Sequence, residues 1–493
     1  MESLSDETWD VVIAGTSLSQ SLLALALSKC DVKVLHVDKN DYYGGIDAGL
    51  SLDEAQRWVQ RREDATVFKT DDADSGLGPS RTYTISLRPQ IIYAKSRFLP
   101  TLVSSQIHTQ LEFQAVGSFW IHTNGNLRKI PSNREDVFAD DTIPVRDKRR
   151  LMGLLRYVVE EPDADEGVDT SDMPSTLEEK LTTDFRIPHN LMPPVQALTL
   201  STDILRNTSF DTAVARFKRH LMSMGYFGPG LAAVMAKYGG NSEIAQVACR
   251  AGAVGGFVYL LGHSVQTVHL PTDDSLVGVE LSDGTRVKSK HVVGMRDDLP
   301  SAIVSTVDTS QGSRPTQKVA HRISIISKSL RHLFTSASEN STVPAVAIIL
   351  VDNGHNNMPP VYLQVHSEDT GECPQGQCIV YASTLHQGTH FQARLEAAIQ
   401  QVIKTTNDPE QPKVLWTLAY TLDEAAHPTP GHNYTSDDSS KRVVVLPERI
   451  HDLAFDDTIL DNVKHAWETI LGERSAEYDF LRFEERKEEN DDE

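Results

Sequence analysis

Cysteine is scarce. Cys30, Cys249, Cys373 and Cys378 are all that 493 residues contain, far too few for a disulfide framework and suited to a reducing compartment. Cys373 and Cys378 flank four residues in ECPQGQC, but no second Cys or His pair stands near to complete a zinc site, so the stretch reads as a plain loop. Positive charge is also short: 47 Lys and Arg face 69 Asp and Glu, a net charge of -22. Such a surface repels nucleic acid and anionic membrane, which need clustered cations. Basic partners fit it, and so does solubility alone. Long apolar runs are missing: residues 345–351 form the longest, far too short to span a bilayer. The acidic start MESLSDETWD does not read as a signal peptide, and the end ERKEENDDE carries no prenylation motif. The expectation is a soluble, cytosolic protein. Catalytic signatures are missing too. There is no G-x-S-x-G, H-E-x-x-H or P-loop, and the 18 His are scattered, so no catalytic residues and no metal site are expected.

The composition that remains is that of a globular chain, 39% hydrophobic and 24% charged, with length for two or three domains. Residues 9–15 (WDVVIAG) predict a buried strand ending in glycine, residues 18–27 a helix packed on a sheet, and residues 32–38 (VKVLHVD) a second strand. Strand, helix and strand in about thirty residues make a βαβ unit with a parallel pair. Residues 61–80 read as a loop and 83–87 as a short strand. Residues 91–114 have helical spacing, and 119–130 form a hairpin turning at Asn124-Gly125. Residues 134–240 carry mostly helical patterns, interrupted by an acidic linker over 160–180. Strands return at 277–294, turned at Asp283-Gly284, and near 343–351, 360–366, 378–384 and 413–421. A helix over 448–472 ends the fold, with Leu453, Ile459, Val463, Trp467, Ile470 and Leu471 as its apolar side. The pattern divides the chain into residues 1–132, a helical insertion over 133–237, a remainder over 238–483 and an acidic tail over 484–493.

The βαβ unit lacks the glycines that would make it work. A dinucleotide loop needs G-x-G-x-x-G: one glycine for the turn, one for the pyrophosphate's approach, one for close helix packing. Gly15 holds the first place, but Ser17 and Gln20 hold the others. Asp38 stands where a ribose-binding acid belongs, or it caps a strand end. The expectation is a dinucleotide fold with its cofactor site closed, and no cofactor.

KVLHVDKNDYYGG (33–45) closely resembles the first signature of the Rab GDP-dissociation inhibitor and Rab escort superfamily. YTISLRPQIIYAKSRFLPTLVSSQIHTQLEF (83–113) resembles the second signature, and YGGNSEIAQVACRAGAVGGFVYLLGHSVQTV (238–268) the third. PKVLWTLAYTL (412–422) and the terminal helix resemble the end of the escort branch. SEIAQVACR departs from the inhibitor's GELPQGFAR, with Ala245 in place of proline. That departure, the length and the acidic inserts favour a fungal-type escort member over an inhibitor. The resemblance implies an α/β fold with a flavin-monooxygenase-like domain I, mixed sheets and an inserted helical domain II, and no FAD. It implies a non-catalytic accessory of Rab geranylgeranyltransferase that binds Rab GTPases in the GDP form, presents them to the α/β heterodimer, holds the geranylgeranyl group, and delivers prenylated Rab to membranes. A recycling inhibitor is the alternative, and an FAD-dependent oxidoreductase a remote one.

By the same resemblance, the platform that reads Rab falls on Tyr43, Glu243, Gln246, Arg250, Val258 and Leu260. Tyr43 can equally pack beside its glycine turn. Glu243 and Arg250, seven residues apart, also suit a solvated face, and Val258 and Leu260 a core. A patch for the Rab C-terminal tail falls on Phe98, Leu102, Val103 and Ile107, whose helical spacing equally suits a helix buried on domain I. Contacts to the prenyltransferase are placed on Phe217, Arg219 and Phe227.

Overall fold

The computed structural model describes residues 4–69, 76–131, 134–160, 175–271, 275–308, 316–337, 341–352, 357–388, 390–406, 410–426 and 442–483. Its first sheet is built on the βαβ unit. Strand Thr8–Ala14 pairs in parallel with Val34–Asp38, in register Val11 to Val34 and Ala14 to Val37. Strands run in the order Val258–Leu261, Val34–Asp38, Thr8–Ala14, Arg286–Met295, Val277–Leu281, Val265–His269, and Val443–Leu446 joins Arg286–Met295 in parallel. The helix Leu18–Leu27 has all ten residues buried. It packs against helices Asn241–Val254 and Thr458–Leu471, so it has no solvent face: it is apolar from Leu22 onward, and the buried side chains of Gln20 and Ser21 in its first turn are hydrogen-bonded internally.

The second sheet has ten strands among the described residues, ordered Ala65–Lys69, Val414–Ala425, Thr316–Ile326, Cys378–Leu385, Val361–Ser367, Val346–Asp352, Phe113–Thr123, Ala233–Ala236 and Ile92–Tyr93, with Asn126–Lys129 on Phe113–Thr123. Its central strands read as continuous apolar runs because both faces are covered: Cys378–Leu385 is buried throughout, under helix Phe391–Ile403 on one side. Between the hairpin and Ala233–Ala236 lie helices Arg134–Ala139, Val145–Glu160, Leu177–Thr183, Met192–Thr199 and Phe210–Ser223, packed around Leu154, Leu181, Val195, Phe210 and Phe217.

Several expectations shift. Residues 61–80 hold a strand, Ala65–Lys69, on the edge of the second sheet; only Ala65 of it is buried, so its composition is that of a loop. Residues 91–114 do not form one helix. Ile92–Tyr93 is a strand, the helix is Phe98–Ser104, and Gln106 at φ 61° ends it before a short turn, Ile107–Gln110. The apolar run at Ala233–Ala236 is a strand in a stretch that reads as helical; runs this short do not distinguish the two. The terminal helix begins only at Thr458, whose N–H and hydroxyl donate to Asp456, so Leu453 packs from the preceding loop. The acidic linker lies largely outside the described residues, over 161–174, as does the tail over 484–493.

Candidate functional site: a filled cofactor loop and the platform beside it

Gly15 turns the chain at φ 90°, where a Cβ would meet Asp298 Oδ2 at 2.3 Å and Gln20 Nε2 at 2.5 Å. The space beside this glycine is therefore occupied. The Gln20 amide donates to Ala14 O at 3.0 Å and to Asp298 Oδ2 at 2.8 Å, and the Ser17 hydroxyl donates to Gln20 Oε1. Asp298 is held at 3.0 Å by Lys39. Burial pushes its carboxyl up to about 6, against the pull of Lys39. Asp38 is spent as well. Its Oδ2 accepts from Thr16 N at 2.8 Å and Thr16 Oγ1 at 2.5 Å, and its Oδ1 from Asn40 N at 2.7 Å and Asn40 Nδ2 at 2.9 Å. The helix N-terminus, which in a dinucleotide site takes phosphate, has an anion of the chain's own: Leu18 N donates to Asp47 Oδ2 at 3.0 Å. These residues do not fit a dinucleotide. A pyrophosphate would displace Gln20 and face two carboxylates.

The outer side of the same elements is open. Helix Asn241–Val254 buries Ile244, Ala245, Val247, Ala248 and Cys249 against Leu18–Leu27 and turns Gln246 and Arg250 to solvent, with Glu243 half-buried between. The three lie at i, i+3 and i+7, one face of a helix. Burial raises the Glu243 carboxyl and Arg250 opposes the shift. Tyr43, half-exposed, places its ring 6.0 Å from Tyr259, edge to face. The Tyr259 ring lies 4.9 Å from that of His36, tilted by 34°, and its hydroxyl lies over Gly252, where a Cβ would come within 2.5 Å. Tyr259 thus joins the turn 42–45 to the helix. No residue of this platform forms a nucleophile–base pair of the kind acyl transfer needs. The helix presents an acid, an amide and a base on one side, with an aromatic ring on the neighbouring turn, groups of the kind enriched where proteins bind one another.

A model of the family described as "GDP dissociation inhibitor" matches residues 5–408. The chain belongs to this family. Among its relatives, "Rab proteins geranylgeranyltransferase component A" of Saccharomyces cerevisiae is 28% identical over 404 residues, covering 79% of this chain and 64% of that protein. "Guanosine nucleotide diphosphate dissociation inhibitor 1" of Arabidopsis thaliana is 27% identical, over 80% of this chain and 83% of that one. The chain spans less than two thirds of the Saccharomyces protein and of a Candida albicans protein of the same name, 64% and 62%. In fold it is similar to the Rab GDI of Plasmodium falciparum, with a TM-score of 0.66 at 18% identity over 94% of this chain and 98% of that one. It also resembles an oxidoreductase from Methanosarcina mazei, with a TM-score of 0.58 at 11% identity over 94% of this chain and all of that one. The α/β fold of a flavin-binding type, with mixed sheets and a helical insertion, is therefore the family's fold.

Against the family's signatures, the structure sorts the expected residues. Glu243, Gln246 and Arg250 share the outer side of one helix, and Tyr43 packs edge-on against Tyr259, whose hydroxyl reaches the same helix at Gly252. Val258 and Leu260 lie on the adjoining edge strand, but they pack toward the first sheet's other face, with Val12, Leu35 and Val37. Strand alternation hands the Tyr43 side to Tyr259; the signal for Tyr259 was the period of two across VYLL. The tail patch does not stand as an exposed surface. Phe98, Leu102 and Ile107 are at most 2% exposed, and Phe98 stacks at 3.9 Å on Phe455; only Val103 reaches solvent, at 56%. Phe217 is buried inside the helical block, and Arg219 donates to Phe455 O at 3.2 Å while lying over the Tyr93 ring, so both serve the interior. Phe227 is at the surface beside Tyr226.

One buried group has metal-like spacing among the described residues: His321, Glu424 and His451, with one ligand atom from each within 4.8 Å of the others. Arg88 decides against a cation there. Its Nη2 lies 3.1 Å from Glu424 Oε2, so a dication would sit beside a buried guanidinium, where like charges repel strongly. Burial alone would raise the Glu424 carboxyl, yet Arg88 and His451 hold it well below the usual range. The group is an internal ion pair flanked by imidazoles.

Proposed function

We propose that this chain is a Rab escort protein: a non-catalytic accessory that binds GDP-bound Rab, presents it to the Rab geranylgeranyltransferase heterodimer, and carries the prenylated product to a membrane. The observation that carries the reading is the face made by Tyr43, Glu243, Gln246 and Arg250, on the positions where the family's signatures place Rab recognition. Tyr259 belongs to the same face. Relatives named as component A of the transferase support the escort branch. In this reading residues 1–132 and 238–483 form domain I, and residues 133–237 form domain II, whose helices take the lipid. Phe227 is the remaining exposed candidate for the transferase and Val103 for the Rab tail. The protein works in the cytosol with transient visits to membranes; no described helix is long and apolar enough to cross one.

The test is transfer of labelled geranylgeranyl from its diphosphate to purified Rab by the heterodimer, with and without this chain. Stimulation is expected. Rab-GDP binding without stimulation moves the protein to the recycling-inhibitor branch, which relatives named as dissociation inhibitors favour.

A further inference from the structure

Two halves of the platform come from distant parts of the chain, and something must hold them in register. Tyr43 sits on the turn that runs into Gly45–Asp47. Glu243, Gln246 and Arg250 sit on a helix that starts at Asn241. Between them lies one guanidinium from a third region. Arg449, 2% exposed at its side chain, pairs through Nη1 with Asp47 Oδ2. Its Nη2 donates to Gln90 Oε1 at 2.6 Å, and the same oxygen accepts from Asn241 Nδ2 at 2.9 Å. Gln90 is itself fixed, its amide donating to Asp452 O at 2.8 Å and Ala454 O at 3.2 Å. Asp47 in turn accepts from Leu18 N at the helix end where a cofactor's phosphate would lie. One side chain thus reaches the Tyr43 turn through a carboxylate and the first residue of the recognition helix through an amide.

We infer that Arg449 is the positioning residue of the platform: with Asp47 and Gln90 it spans the closed cofactor loop and sets Tyr43 against Glu243 and Arg250. The assignment rests on the reading of that face as the Rab site. Arg449 touches no partner. It acts by fixing the spacing of residues that do, and a bidentate planar donor suits that task in a way a lysine does not.

The test compares binding of GDP-loaded, unprenylated Rab to the full-length protein and five variants, each with its thermal melt. Asp47→Asn with Arg449→Met removes both buried charges together and cuts both tethers. Because no lone charge is left behind, melting within about 5 °C of wild type is expected. Binding should weaken about tenfold, the scale on which residues of one network couple. Gln90→Met leaves the Asp47–Arg449 ion pair intact and cuts the link from Arg449 to Asn241, along with the bonds from Gln90 to Asp452 O and Ala454 O; its melt reads the loss of those last two bonds, it keeps the experiment decisive if the double variant folds poorly, and it too should bind about tenfold more weakly. Arg449→Lys should recover part of the loss through its single tether to Asp47. In a cycle with Tyr43→Ala, the Gln90 and Tyr43 losses should be less than additive, because both remove one jointly positioned contact. Wild-type affinity in Gln90→Met, or full additivity with Tyr43→Ala, overturns the positioning role. Absence of Rab binding by the wild-type protein overturns the platform reading instead.

Discussion

Replacing Phe98 by alanine separates a core residue from a recognition residue. Phe98 is fully buried, stacked on Phe455 with ring centroids 3.9 Å apart and planes 7° from parallel. It belongs to a core that includes Ile92, Leu102, Ile459 and Val463. Truncation removes a buried ring and leaves a cavity that Phe455, wedged under helix Thr458–Leu471, has little freedom to fill. Phenylalanine-to-alanine changes at such sites cost about 3–5 kcal/mol, and loss of the ring pair falls inside that range. For a cooperative unit of 150–250 residues each kcal/mol lowers the melting point by about 2–4 °C, so a drop on the order of 10 °C is expected. Val103, five residues on in the same helix and 56% exposed, should melt within about 1–2 °C of wild type when made alanine, because surface changes stay within about 0.5 kcal/mol. Melting by circular dichroism reads the first effect, and Rab-GDP titration of both variants reads the second. A Phe98→Ala protein that melts like wild type but fails to hold the Rab tail would refute the argument, since it would mean the ring is available to a partner.

Gly15→Ala places a Cβ 2.3 Å from Asp298 Oδ2 at φ 90°; a loss of at least about 2 kcal/mol is expected by urea denaturation. Asp38→Ala leaves the Thr16 and Asn40 donors without their acceptor and should cost about 2–4 kcal/mol in the same assay, with no change in any flavin affinity. Acid should weaken the fold early. Burial lowers the imidazoles of His36 to about 4, and of His220 and His321 to about 3, from an ordinary 6.5. The unfolded chain takes up these protons first, so stability falls as pH drops from about 6.5 toward 4. Asp298, raised to about 6, acts in the opposite direction over the same window but is one group against three. A melting point that is flat from pH 7 to 4.5 contradicts this. Alanine at Glu243 or Arg250 should weaken Rab-GDP binding by roughly tenfold or more with little change in melting; unchanged affinity for both removes the platform.

The βαβ unit was legible because a helix buried on every side is rich in apolar residues, and Leu18–Leu27 is apolar from Leu22 onward. The two missing glycines were legible for the same kind of reason: Ser17 and Gln20 carry side chains that must go somewhere, and they go into the cofactor loop. What filled the loop from afar was not legible. Asp298 and Arg449 arrive from strands and loops hundreds of residues on, and nothing local to either marks it as a neighbour of Gly15 or Asp47. The burial of three of the four tail-patch residues was not legible for a physical reason. Phe98, Leu102 and Ile107 have helical spacing whether their partner is a ligand or the protein's own Phe455. Val258 and Leu260 pack away from Tyr43, because alternation in an edge strand gives either parity until the facing residue is known; it is Tyr259 whose ring meets that of Tyr43.

The closed loop explains why the platform can exist. In a dinucleotide enzyme the first-turn glycines, the helix N-terminus and the acid after the second strand all point at a cofactor that stabilises them by binding. Here the same positions satisfy one another: Gln20 fills the turn, Asp47 caps the helix, and Asp38 binds Thr16 and Asn40. The fold therefore needs no ligand to hold Val34–Asp38 and the turn 42–45 in place. Their outer surface, with the helix Asn241–Val254, can then be selected for a partner protein rather than for chemistry. A buried ion pair stabilises little by comparison with apolar packing, but it fixes directions. Directions are what the proposed recognition face, assembled from residues 43, 243 and 250, requires.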